Sequence, residues 1–242
     1  MKTGMRKALA VVILVVHSLT TIAYAAVSVN ELTLILENSQ RGATITGTVR
    51  AAESGLPLQS GTITLADKST TITDGHFKLE DVPLGSQAVR VTGPYRQPTS
   101  VTVMVAPGAN QIDIAVKSSF SQEEIDALAR ITRAEAEGET PLGKTAVAST
   151  VLNRVKSERY PSSITGVIYQ RISGRYQYSP VADGRIKLPP RSQDYQAAFE
   201  ALAGLDPTNG ATGFYNPAKT SDRWVRSHPV TAVIGGHTFF RY

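Results

Sequence analysis

The hydrophobic period of this chain changes once, from two to 3.6, and that change limits what it can fold into. Between Gly42 and Val116 the sequence is rich in Thr and Val and alternates apolar with polar residues, the pattern of strands with one buried face. ATITGTVR sets Ile45 and Val49 opposite Thr44, Thr46 and Thr48, and GTITLAD repeats the period with Ile63 and Leu65. Asp74-Gly75 is a tight-turn pair between TTIT and HFKLE, and Pro83, Gly85, Gly93 and Pro94 mark further turns. With later strands in SQAVRVTG, TSVTVMVAPG and NQIDIAV, this spacing predicts a small antiparallel sandwich over residues 42–117. After the polar joint Lys117-Ser118-Ser119-Phe120, Ile125, Leu128, Ala129, Thr132 and Ala136 recur at helical spacing behind the capping-box pair Ser121 and Glu124. A second domain, 121–242, begins there.

The N-terminal stretch has a basic start at Lys2, Arg6 and Lys7, an apolar run from Ala8 to Val16 and the small-x-small end Ala23-Tyr24-Ala25. It reads as a secretory signal over 1–25, followed by a linker over 26–41, and its apolar run is short of the roughly 20 residues that span a bilayer. No stable membrane insertion is expected once it is removed. Its loss would lower the formal charge from +5 to +2, which leaves no basic excess for nucleic acid. The chain has no cysteine, so disulfides, thiolate zinc sites and a thiol nucleophile are excluded together. No G-x-S-x-G pattern occurs and only His228 and His237 lie in the second domain, which disfavours serine hydrolysis. Their spacing matches no zinc motif, so neither metal nor cofactor is expected.

The segment ITRAEAEGETP carries Glu135, Glu137 and Glu139 where the first helical pattern meets Gly138 and Pro141. At 100° per residue Glu135 lies about 70° from the centre of the apolar stripe and Glu137 about 130° away, so Glu135 borders the core and Glu137 faces water. Gly138 ends the helix before Glu139 completes another turn. Thr140-Pro141 then caps a second helix with Val147, Val151 and Val155 in line. A carboxyl at the edge of a core can keep its proton near neutral pH and act as a general acid. It can equally be a satisfied edge residue paired with Arg133, Lys144 or Arg154.

Two resemblances bear on that choice. GTVRAAESGLPLQSGTITL followed by TDGHFKLEDVPLGSQAVRVTG resembles the carboxypeptidase-regulatory or transthyretin-like sandwich, whose members mostly act as spacers or adhesion modules. LARITRAEAEGETPLGKTAVASTVLNRVKSERYPSSITGVIYQ, YSPVADGRI, ALAGLDPTNGATGFYNPAKTSDRWV and VIGGHTFF resemble, in order, the spore-cortex-lytic cell wall hydrolase family, the SleB/CwlJ group. That resemblance covers nearly all of 121–242 and implies a mainly helical α+β domain of the lysozyme or lytic transglycosylase kind. It implies cleavage of peptidoglycan glycan strands by a secreted enzyme in the periplasm or cell wall. The essential glutamate of the family's A-E-A-x-G-E motif falls on Glu135, with Glu139 at the second acidic position.

Around that catalytic glutamate, Glu139, Asn153, Tyr178, Ser179, Asp183, Tyr215, Asn216 and Trp224 are the expected substrate-binding residues. Tyr176, Tyr178, Phe214, Tyr215 and Trp224 offer flat faces for pyranose rings, and Ser179, Asp183 and Asn216 offer hydrogen bonds. Trp224 would serve equally well as a core plug. Asn153 is expected to face the first helix near Glu135, and Glu139 or Asp183 could supply a second carboxylate. RISGRYQY departs from the family pattern. An N-acetylmuramoyl-L-alanine amidase and a non-catalytic wall-binding protein remain the alternatives.

Overall fold

The computed structural model describes residues 42–242; the expected signal and linker lie outside them. Seven strands form the first domain: β1 (Ala43–Ala51), β2 (Ser60–Leu65), β3 (Lys68–Thr73), β4 (His76–Val82), β5 (Gly85–Thr92), β6 (Thr99–Val105) and β7 (Ala109–Val116). They join in the order β6-β5-β2-β3-β4-β1-β7. β3 and β4 pair only at Thr73 and His76, across a turn whose residues Asp74 and Gly75 have φ of 49° and 78°. Positive φ at both central positions is the type I′ geometry that the Asp-Gly pair favours. The sheet folds over at this hairpin, so that Ile45, Val49, Leu79 and Ile114 from one leaf and Ile63, Leu65, Val89 and Val91 from the other share a single core.

The sandwich is therefore as expected, but it is not wholly antiparallel. β1 pairs in parallel with β7 from Thr44 opposite Ala109 to Ala51 opposite Val116. A short turn imposes antiparallel pairing only on neighbours in sequence. β1 and β7 are the first and last strands, separated by the whole domain, and nothing local dictates their direction.

The second domain contains α1 (Gln122–Ala136), α2 (Pro141–Lys156), the short α3 (Ile164–Ile168), the hairpin β8 (Arg171–Ile172) and β9 (Arg175–Tyr176), α4 (Ser179–Asp183), α5 (Ser192–Leu202), β10 (Gly213–Tyr215), the turn-length α6 (Arg223–Arg226), β11 (Val230–Ile234) and β12 (His237–Phe240). Ser121 accepts from Glu124 N and Glu124 reaches back to Ser121 N, closing the expected capping box of α1. Ile125, Leu128, Ala129 and Ile131 of α1 pack with Ala148, Val151 and Leu152 of α2 and Ala198, Ala201 and Leu202 of α5. Thr132 is buried in this stripe because its hydroxyl bonds to Leu128 O at 2.8 Å.

The residues of α2 are buried on nearly every side, polar ones included. Lys144 pairs with Asp194 at 2.7 Å, Thr145 donates to Glu200, Ser149 to Leu205 O and Arg154 to Thr212 O. Each bond ties α2 to the segment 194–212, which explains how a helix with so little amphipathicity is held. β10, β12 and β11 form an antiparallel sheet in that order. Phe239 of this sheet packs against Ala136, Ala146 and Val147, so the end of α1 is clamped where the helices meet the strands.

Candidate active site

That clamp positions Glu135. It stands in the last turn of α1, one residue before buried Ala136, and its carboxyl is half-buried at the edge of the core. Burial raises its pKa from 4.5 to about 7; Arg185 and Arg154 oppose the rise, and Asp183 adds to it. Arg133, Lys144 and Arg154 do not form ion pairs with it. Arg133 bonds to Pro189 O and lies 3.8 Å from Glu137, Lys144 is held by Asp194, and Arg154 Nε donates to Thr212 O at 2.6 Å. Glu137 faces water as expected and pairs with Arg191 at 2.6 Å.

The other expected site residues divide into those gathered round Glu135 and those held elsewhere. Asp183, at the end of α4, is exposed and receives both Nε and Nη2 of Arg185, at 3.0 and 2.9 Å, as well as the backbone N–H of Arg185. These bonds hold its pKa below the usual carboxylate range. Arg185 also donates to Ala134 O at 2.9 Å, which fixes the pair against α1, and reaches the exposed Ser179 hydroxyl at 3.4 Å. Tyr178 is only 3% exposed and lies under the Arg154 guanidinium, 5.0 Å from the ring centroid. The expectation of a sugar-stacking Tyr178 is therefore corrected: its ring is a wall of the site, filled from the protein side. Among the described residues its hydroxyl has no hydrogen-bond partner.

Asn153 also differs from expectation. Its amide donates to Asp206 at 2.9 Å and Ala211 O at 3.0 Å, so it braces the loop after α5 and does not face Glu135. The helical ruler could not show this, because the loop that satisfies Asn153 lies more than fifty residues away. Glu139, past the end of α1, accepts from Gly236 N at 3.0 Å under the β11–β12 turn. Gly235 there has φ +56°, and a Cβ on it would come within 2.0 Å of Glu139 Oε2, so this close approach requires glycine. His237 Nδ1 lies 3.6 Å from the same carboxylate, too far for a hydrogen bond. Burial lowers the His237 pKa and so favours its neutral ring.

Trp224 is 59% exposed with His228 against its edge at 4.5 Å, which rules out the core-plug reading. Tyr215 lies beneath Arg226, and Asn216 caps its own turn by accepting from Ala218 N. Tyr176 is covered by Arg171 at 4.1 Å within the β8–β9 hairpin, and Phe214 packs on His237 and Phe239. Among the described residues no three His, Asp or Glu side chains gather as a metal site would require.

Residues 138–240 match the family described as Cell Wall Hydrolase. The catalytic domain of the germination-specific lytic transglycosylase SleB from Bacillus anthracis is 35% identical, with 51% of this chain covering 98% of that domain at a TM-score of 0.47. The C-terminal part of the chain is a cell wall hydrolase domain. Spore cortex-lytic enzymes of Halalkalibacterium halodurans and Bacillus subtilis are 36% and 34% identical to it. The matches cover 51% and 50% of this chain but 36% and 38% of theirs, so the shared part is the hydrolase domain. Of the two arginines that act on Glu135, Arg185 is absent from the residues singled out in the sequence, and Arg154 is named there only as a possible ion-pair partner of the carboxyl. Arg185 lies in the family block YSPVADGRI, which was a signal for it.

Proposed function

We propose that this protein is a secreted enzyme of the periplasm or cell wall that cleaves the β-1,4 bond between N-acetylmuramic acid and N-acetylglucosamine as a lytic transglycosylase. Protonated Glu135 gives its proton to the glycosidic oxygen as the bond to muramic C1 breaks. The carboxylate so formed then takes the proton of the muramic C6 hydroxyl as that oxygen bonds to C1, leaving a 1,6-anhydro sugar and a free N-acetylglucosamine hydroxyl. The observation that carries this reading is a half-buried carboxyl whose pKa of about 7 keeps it largely protonated at mildly acidic pH and about half protonated at neutrality.

A two-carboxylate hydrolysis fits less well. It needs a second carboxylate free to bind the sugar cation or activate water, and both candidates are engaged, Glu139 by Gly236 N and Asp183 by Arg185. The oxocarbenium-like charge would then be met by the Glu135 carboxylate and the substrate's own groups. Digestion of purified sacculi with mass analysis of the fragments tests this directly. Anhydromuramic ends are expected; reducing muramic ends would make the enzyme a hydrolase, and free stem peptides would make it an amidase.

A further inference from the structure

A concavity about 940 Å³ in volume opens on the hydrolase domain, and Glu135 does not line it. Lys156 and Arg159, at and beyond the end of α2, and Arg241 of the C-terminal segment provide its charge, and Asn153, Thr212, Thr231 and Tyr242 are among its other walls. Among the described residues no carboxylate side chain lines it. Asp206 lies behind Asn153, where it is spent on that amide and on the N–H groups of Thr208 and Gly210. Glu158, exposed on the same turn as Arg159, is outside the lining. Arg241 bonds to the carbonyls of Gly210 and Asn209, neutral acceptors that orient its charge without cancelling it. The helix dipole accounts for one cation at the end of α2, but not for three from two separate segments. The Thr231 hydroxyl behind this wall is buried and has no hydrogen-bond partner among the described residues.

The cleft adjoins the catalytic region through Arg154. That guanidinium donates to Thr212 O, lies 5.3 Å from the Tyr160 ring, and acts electrostatically on Glu135. Tyr160 in turn packs edge-on against Tyr242 at 6.2 Å. We propose that this basic cleft takes the carboxylates of the stem peptide borne by the muramic residue on which Glu135 acts. The proposal rests on the glycan-cleaving reading above. A peptide branching from the sugar carries its acidic groups away from the scissile bond, and a cation-lined cleft whose wall residue Thr212 is bonded by Arg154, the arginine that acts on Glu135, suits them. The enzyme would then read whether a muramic residue still carries its peptide.

Titration calorimetry on the full chain carrying Glu135→Gln, which prevents turnover, tests this with three probes. These are a disaccharide bearing its stem peptide, the same compound with its carboxylates amidated, and a glycerol-phosphate oligomer. The carboxylate form is expected to bind at least about fivefold tighter than the amidated one, with a preference that shrinks as salt rises. Adding Lys156→Ala and Arg159→Ala, both at exposed positions, should abolish the preference, and Lys156→Glu with Arg159→Glu should reverse it. Equal affinity for the two peptides, a preference that survives these substitutions, or tighter binding of the phosphate oligomer would overturn the proposal. Failure of the catalytic reading shows separately, as the absence of anhydromuramic ends in the wild-type digest, and the titration still decides the cleft.

Discussion

Because burial raises the Glu135 pKa from 4.5 to about 7, the folded protein binds more protons than the unfolded chain between those values, and stability falls as pH rises through that window. At about 1.4 kcal/mol per pKa unit the penalty is about 3 kcal/mol once pH exceeds 7. Glu135→Gln should therefore raise the melting temperature at pH 8 and change it little near pH 4, while lowering kcat by about 10³-fold, within the range for loss of a general acid. Calorimetric melts at the two pH values and sacculus digestion check both halves. In the wild type, kcat/KM should decline above about pH 7 as the acid loses its proton. Arg185 pulls this pKa down and neutralises Asp183, which pushes it up. Arg185→Met removes the first effect and exposes the second, so the alkaline limb should move to higher pH. A pH profile of the variant with an unmoved limb would show that the Asp183–Arg185 pair does not govern the acid.

At the level of elements, α2 is held as much by buried polar bonds as by its valines. Lys144 is 1% exposed and its partner Asp194 is 0% exposed. Asp194 also accepts from Arg191 N at 2.9 Å, capping α5. Replacing Lys144 by Met leaves that carboxylate buried without its counter-charge, and urea titration should register a loss of about 3–5 kcal/mol. Lys144→Met combined with Asp194→Asn should recover part of this, because Asn keeps an acceptor for Arg191 N without the charge. A double variant no more stable than the single one would show that packing of the Lys144 stem, not the ion pair, carries the cost.

Across the whole molecule, the sandwich is joined to the hydrolase domain by more than the chain between them. Arg96, only 4% exposed, pairs with Glu53 and donates to Leu202 O at 2.8 Å at the end of α5, while Gln59 N donates to Ala203 O at 2.8 Å and Tyr95 packs on Phe120. Arg96→Ala should cost about 2–4 kcal/mol through the stranded Glu53 carboxylate and helix-end carbonyl, and differential scanning calorimetry should split one transition into two. Nothing in the sequence pointed to this contact, because Arg96 and Leu202 lie 106 residues apart. The sequence by itself determined whatever a local period or cap can encode: seven strands, the Asp-Gly hairpin, the boxed start of α1, its end at Gly138 and the half-buried place of Glu135. Only the tertiary structure decided what depends on partners distant in the chain: the parallel pairing of β1 with β7, the turning of Asn153 away from the acid, the burial of Tyr178 under Arg154, and the capture of Glu139 by the Gly235-Gly236 turn. The physical reason is range, since side-chain periodicity reports which face of an element is covered, whereas the identity of the covering group is set by chain closure over tens of residues.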